Sequence, residues 1–440
     1  MKPLQSPESS ILRRLQLSFE PSMAALIAIA ALAFSSLTAY AAHPPCDPDN
    51  GGLSLPPGFC AIVAANNLGE ARHAVVAPNG DLYIALMGQN EKTGGGVVGL
   101  RSTKGDGRFD MQEKFSVGSS TGIGLRNGYL YVARVDSVIR FKMTPGQLKP
   151  SGEPEVIVED LPDEREHHDK GLAFDGKGGL YINIGSPSNA CQSKDRIEGI
   201  VGQDPCPILE LHGGVWRFDE NKLHQKESDG ERWVTGLRQE PAITWHDGAV
   251  YIVMNNRDQL DVLWPGKFDS KENAMRPAEP MYVGTKGANF GWPYCYYDYG
   301  QKKLLLNPEY GGDGKIVGRC SAFTLPVASY PAHWAPVDVI FYTGSEFPQH
   351  YKNGAFIAFH GSWNRAPLPQ EPSNVTFQPF LAGKPTANYE VFASGFAGKN
   401  PLMNPAEAEA RADGVAQAPD GSLYITESQK GKVWHVFYGK

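Results

Sequence analysis

The chain has 440 residues, with 41 Lys and Arg against 48 Asp and Glu and a formal net charge of −7. That balance gives no basic footprint for nucleic acid and argues against such a partner. Beyond residue 37, no run is apolar enough to provide the about 20 residues a bilayer span needs.

Arg13 and Arg14 precede the apolar run MAALIAIAALAFSSL (23–37), and Ala39-Tyr40-Ala41 follows. A positive flank, a short apolar core and an A-x-A site predict a signal peptide over 1–41. A membrane anchor is the alternative, but the run is short for one. Residues 42–440 are then expected to form a single domain in an exported compartment, periplasmic or secreted. Six cysteines lie in that part, at 46, 60, 191, 206, 295 and 320. An even count in an oxidising compartment favours disulfides. The sequence-local pairing 46–60, 191–206 and 295–320 is the expected one, since each pair closes a loop rich in Gly, Pro, Asp or Asn. No C-x-x-C metal pattern and no C-x-x-C-H haem site occurs.

One motif then recurs: APNGDLYIAL (77–86), LRNGYLYVAR (125–134), FDGKGGLYINIG (174–185), WHDGAVYIVM (245–254), YKNGAFIAFHG (351–361) and APDGSLYITES (418–428). Each is an Asn-Gly, Asp-Gly or Gly-Gly turn followed by an apolar, β-branched and aromatic run, a strong hairpin signal. Further strand-like runs follow several copies, at 137–142, 213–219 and 431–439. Helical periodicity is scarce, with one short candidate at 404–412. Six copies predict an all-β fold, a six-bladed β-propeller with four-stranded blades and long inter-strand insertions. A pair of β-sandwiches is the alternative. The wide gap between Tyr251 and Phe356 could hold a seventh blade, but its aromatic cluster and cysteine loop favour an insertion.

Propeller loops meet over one end of the ring, so polar residues flanking the repeated strand are the candidates. Arg72 and His73 precede the first copy; His167, His168, Asp169 and Lys170 precede the third. Arg238, Gln239 and Glu240 precede the fourth, and Asn255, Asn256, Arg257 and Asp258 follow it. His360, Trp363, Asn364 and Arg365 lie at the end of the fifth; Arg411 and Asp413 precede the sixth. NFGWPYC (289–295) adds Trp292. Arginines pair with carboxylates and aromatic rings stack, which suits a planar, multiply anionic ligand. Amide, carboxylate and carbonyl oxygens suit Ca²⁺ more than zinc. The adjacent His167 and His168 lack zinc-pair spacing. On a strand they would face opposite ways, so one only is expected to reach a shared site.

Taken together, HHDKGLAFDGKGGLYINIGSPSNAC, GLRQEPAITW, NNRDQL, NFGWPYC, HGSWNR and RADGVAQAPDGSLYITES resemble the glucose/sorbosone dehydrogenase family, and its sorbosone and pyranose dehydrogenase branch most. That resemblance implies an exported enzyme carrying pyrroloquinoline quinone (PQQ) and Ca²⁺. It would oxidise a sugar or sugar aldehyde by hydride transfer to the quinone. His168 begins an H-x-x-G pattern and is the implied general base; His167 is expected to point away. Arg238 matches the arginine of a G-L-R-N pattern that approaches the quinone oxygens, with Gln239 standing where the family has Asn. Asp258 matches an acid beside the calcium loop, which holds Asn255 and Asn256. Arg72, His360, Arg365 and Arg411 would hold the cofactor carboxylates, with Trp292 or Trp363 near its ring. Ser186 or Ser188 falls near the place where the glucose enzyme has a second acid, which weakens glucose as the implied substrate and leaves an aldose or a sorbosone-like aldehyde. A separate electron acceptor, a cytochrome or a quinone, is required. The competing readings are a Ca²⁺-dependent lactonase on the same propeller and a non-catalytic periplasmic binding propeller.

Overall fold

The structure is a computed structural model that describes residues 43–88, 94–116, 118–163 and 166–439. The expected signal peptide lies outside the described residues. Six antiparallel sheets account for almost all of the strands. Each contains one copy of the repeat, and the repeat forms its first hairpin. The first two blades are built from Ala71–Val76, Leu82–Leu86, Gly96–Arg101 and Met111–Phe115, and from Ser120–Arg126, Tyr129–Arg134, Val138–Lys142 and Glu155–Val158. The third contains Leu172–Phe174, Gly179–Ile184, Gly214–Asp219 and Glu231–Thr235, with Ala288–Asn289 added in parallel at its edge. The fourth contains Gln239–His246, Ala249–Asn255, Glu279–Gly284 and Ala328–Tyr330. The fifth contains Pro336–Phe341, Ala355–Phe359, Asn374–Gln378 and Glu390–Ala393. The sixth takes three strands from the end of the chain, Ala412–Gln417, Leu423–Glu427 and Val433–Tyr438. Its fourth, Phe59–Ala65, comes from the beginning. The ring is thus closed by pairing the two ends of the fold, which leaves no long open edge.

The core lies between the blades. One apolar cluster joins each neighbouring pair, including the sixth to the first, where Leu82 and Ile84 pack with Tyr424 and Val433. A second strand in each blade is therefore covered on both faces. That is why LYIAL (82–86) and AVYIVMN (249–255) are buried throughout and show no polar alternation. All three expected disulfides are present, Cys46–Cys60, Cys191–Cys206 and Cys295–Cys320. The gap after Tyr251 holds no seventh blade. It contains two short helices, Leu260–Leu263 and Ser270–Met275, and a two-stranded ribbon, Cys295–Asp298 with Lys303–Leu306.

The helix expected at 404–412 is reduced to one 3-10 turn, Pro405–Glu407. Ala412 onward pairs into the sixth blade, and that pairing outweighs a weak local propensity.

A bulge recurs near the start of the first strand in five blades: between Ala71 and Ala74, Ser120 and Ile123, Gln239 and Ala242, Pro336 and Asp338, and Ala412 and Val415. A bulge re-aims side chains and ends regular pairing. Here it acts at the end of the ring where first strands begin and second strands finish.

Candidate active site

A cavity of about 450 Å³ opens at that end. Its volume suits a small organic ligand. Arg72, Arg238, Gln239, Asn255, Asn256, Asp258, His360 and Trp363, all singled out from the sequence, line it. So do Glu166, His167, Asp169, Arg196, Gln259, Glu279, His333 and Asn364.

The centre of the wall is an ion pair. Arg238 donates Nη2–H to Asp258 Oδ2 at 2.7 Å and Nη1–H to the Asn256 carbonyl at 2.8 Å. Asn364 Nδ2 donates to Asp258 Oδ1 at 2.7 Å, and Arg196 approaches Oδ2 at 3.5 Å. Burial would push the Asp258 carboxyl up, but Arg238, His333 and Arg196 hold it down at about 2. It is an anion across the working pH range. Arg72 forms a second pair, donating Nη1–H to Asp413 Oδ2 at 2.7 Å. Burial opposes its charge, and Asp413 and Asp169 outweigh that. The Nε atoms of Arg72 and Arg238 are both buried with no hydrogen-bond partner, and so is Asn364 Oδ1.

His167 lines the cavity, contrary to the expectation that it points away. The alternation argument fails because 167 and 168 are not on a strand; His167 has φ 59 and the strand begins at Leu172. A Cβ at Gly185 would lie 2.4 Å from the His167 carbonyl oxygen, so only glycine admits this path. A Cβ at Gly171 would lie 2.1 Å from the Pro241 carbonyl, so the glycine of H-x-x-G docks the histidine loop on the strand after Arg238. His167 Nδ1 is 2.5 Å from the Ser186 carbonyl oxygen. Burial and the nearby Arg238 lower its pKa to about 3, so it is neutral. His168 is not among the lining residues, and its Nδ1 is buried with no partner.

Other expected contacts are placed elsewhere. Arg411 gives its N–H groups to the His360 and Pro405 carbonyls, and Arg365 bonds the Ala274 carbonyl and pairs with Glu371. Neither lines the cavity, because backbone carbonyls and an acid nearer at hand take their donors. Trp292 is also absent from the wall. It is buried against Cys191 and Cys206 and donates Nε1–H to the Asn189 carbonyl at 3.0 Å. Asn255 and Asn256 are on the wall, but their amide N–H groups serve the Pro336 and Ala278 carbonyls, and Asn256 Oδ1 accepts from Arg257 N–H. His360 is neutral as well; burial, Arg72 and Arg411 lower its pKa to about 3.

The sequence reading passed over Asn189. Its side chain accepts from the Asp258 N–H at 2.9 Å and donates to the Asp258 carbonyl at 3.0 Å. A fully buried amide two residues before Cys191, where the Cys191–Cys206 disulfide pins the chain, thus fixes the backbone of the central acid. The signal was visible only as SPSNAC ending in a cysteine. Asn189→Ala strands the buried Asp258 N–H, at a cost of about 1–3 kcal/mol, while the Asp258 carbonyl keeps Arg257 Nη2–H at 3.1 Å. We expect the denaturant midpoint to fall accordingly; an unchanged midpoint contradicts the clamp.

Glu240 is fully buried, and neither carboxyl oxygen has a hydrogen-bond partner. Burial pushes it up to about 8 against the pull of Lys170. Its folded pKa is raised, so the stability it contributes is complete below about pH 4.5 and is lost as pH rises towards 8. Glu240→Gln should flatten the fall of Tm across that window. An identical slope in variant and parent contradicts this.

The fold is a closed six-bladed propeller with arginines, carboxylates and amides around one terminal cavity. Residues 53–438 match the TrAA12-like family model, and the chain belongs to that family. It is similar to the holo form of the pyranose dehydrogenase PQQ domain from Coprinopsis cinerea (TM-score 0.69, 16% identity, 90% of this chain and 98% of that one). It is also similar to the calcium structure of the Trichoderma reesei enzyme of carbohydrate-active family AA12 (TM-score 0.71, 16% identity, 88% and 97%). By sequence it is 24% identical over 401 residues to an uncharacterized protein of Borreliella burgdorferi, covering 88% of this chain and 91% of that one.

Proposed function

We propose that the chain is a PQQ- and Ca²⁺-dependent dehydrogenase that oxidises a sugar or sugar aldehyde and passes the electrons to a separate acceptor. The carrying observation is that Arg72, Arg196 and Arg238 line one cavity together with the Asp258 carboxylate and Asn255, Asn256 and Asn364. Guanidinium groups at such a wall favour an anionic ligand. The donor set fits a flat tricarboxylate. The Asp258 carboxylate and the unpartnered Asn364 Oδ1 offer hard oxygens suited to Ca²⁺. PQQ, when bound, supplies a two-electron acceptor for hydride.

This chain's own residues do the rest. Arg238 holds positive charge beside the cofactor oxygens. His168, the base implied by the resemblance, takes the hydroxyl proton after its ring turns into the cavity, which it does not line in this structure. His167 gives Nδ1–H to the Ser186 carbonyl, which leaves the lone pair on Nε2, but its pKa of about 3 makes it a weak base near neutral pH. The His167 ring is suited to orienting the substrate hydroxyl. Trp363 is 56% exposed at the cavity rim and offers a flat face to a sugar ring. Export, and an external cytochrome or quinone as acceptor, complete the proposal. Among the described residues no helix is long and apolar enough to cross a membrane.

Reconstitution tests the reading. With PQQ and Ca²⁺ added, the protein should bleach a redox dye in the presence of aldoses or ketoaldoses. No bleaching with any of them contradicts it, and lactone hydrolysis without PQQ would favour the hydrolase instead.

A further inference from the structure

Away from the cavity, His43, Asp420 and His435 bring one potential ligand atom each to within 4.8 Å of one another. His43 lies just beyond the expected leader, Asp420 is in the Asp-Gly turn of the sixth blade, and His435 is on that blade's third strand. Nothing in the proposed oxidation uses them.

The hydrogen bonds fix the protonation of this cluster. Ser422 Oγ–H donates to Asp420 Oδ1 at 2.6 Å. That hydroxyl has one proton, so at 2.7 Å it must accept from His435 Nε2–H. His435 Nδ1 therefore carries the lone pair. It is buried, with no partner, on a residue 5% exposed. His43 lies with Nε2 3.2 Å from Glu346 Oε1, which leaves its Nδ1 as the free ring nitrogen. Both imidazoles thus have Nε2 held by an oxygen partner, the outer-shell arrangement that orients histidine ligands to a metal. Asp420 retains Oδ2, and a second carboxylate, Glu346, stands beside His43 with Oε2 buried and unpartnered.

We propose that His43, His435 and Asp420 form a transition-metal site of zinc type, with Glu346 and Ser422 as the groups that orient the histidines. Two imidazoles and a carboxylate suit Zn²⁺ or Co²⁺, whereas Ca²⁺ prefers oxygen ligands. Tetrahedral ligands about 2.1 Å from zinc lie about 3.4 Å apart, so closure needs side-chain movement of about 1 Å. The ion would tie the segment preceding Cys46 to the blade that closes the ring.

Full-length protein, stripped with EDTA and held in excess Ca²⁺ to occupy oxygen sites, is titrated with Co²⁺ and then Zn²⁺. The expected result is one equivalent of Co²⁺ bound, visible bands of tetrahedral intensity, and displacement by Zn²⁺. His43→Ala and Asp420→Asn, both at partly exposed positions, should each weaken uptake at least about tenfold while circular dichroism is unchanged. Asp420→Asn also separates this site from chelation by a processed N-terminus, which does not use Asp420. Failure of the folded parent protein to bind, or a loss smaller than tenfold in either folded variant, overturns the proposal.

Discussion

Arg238→Ala is expected to be the most damaging single change in the cavity. Arg238 and Asp258 are 3% and 8% exposed and meet at 2.7 Å. Removing one partner of such a pair strands the other charge and costs about 3–5 kcal/mol. The consequence reaches further than stability. Without Arg238 the carboxyl loses its principal stabiliser and rises from about 2, so its readiness as an anionic ligand falls with it. Turnover should drop by about 10²–10³, the scale seen when one preorganised charge-stabilising donor is lost. The double variant Arg238→Ala, Asp258→Asn removes the stranded charge and should recover part of the stability but none of the turnover. Chemical denaturation read alongside dye reduction checks both parts. A loss below about 1 kcal/mol would place the pair among exposed ion pairs and contradict the burial argument.

The second large effect concerns the histidine pair. His168→Ala should lower kcat by about 10²–10⁴ while PQQ affinity is retained, the range for losing a positioned base. His167→Ala should act mainly on KM, since a neutral ring held near the Ser186 carbonyl orients substrate. Single-turnover reduction of bound PQQ separates chemistry from binding. If the two variants exchange behaviours, the base is His167.

Much of the architecture was legible because one local signal repeats. A Gly-containing turn before an apolar run marks a hairpin, and the six marked hairpins are the first hairpins of six blades. The sequence-local disulfides were legible for a related reason, since their cysteines flank turn-rich loops. The site was legible only by position. Arg72, Arg238, Asp258 and His360 lie where first strands begin or second strands end, and they line the cavity. Arg365 and Arg411 satisfy the same positional rule, yet carbonyls and an acid close by take their donors. Strand alternation misled at His167 because a left-handed residue breaks it, and no composition signal marks such a residue outside glycine. Asn189, Glu279 and His333 escaped notice because their roles arise from contacts between distant loops. Asn189 meets Asp258 across 69 residues.

The central claim is that this cavity holds PQQ with Ca²⁺, and equilibrium binding of PQQ to the apoprotein, with and without Ca²⁺, tests it most directly. Saturable one-to-one binding that tightens with Ca²⁺ and weakens at least about tenfold in Arg72→Ala is the predicted result. No saturable binding in either condition, or binding indifferent to Arg72, would contradict it.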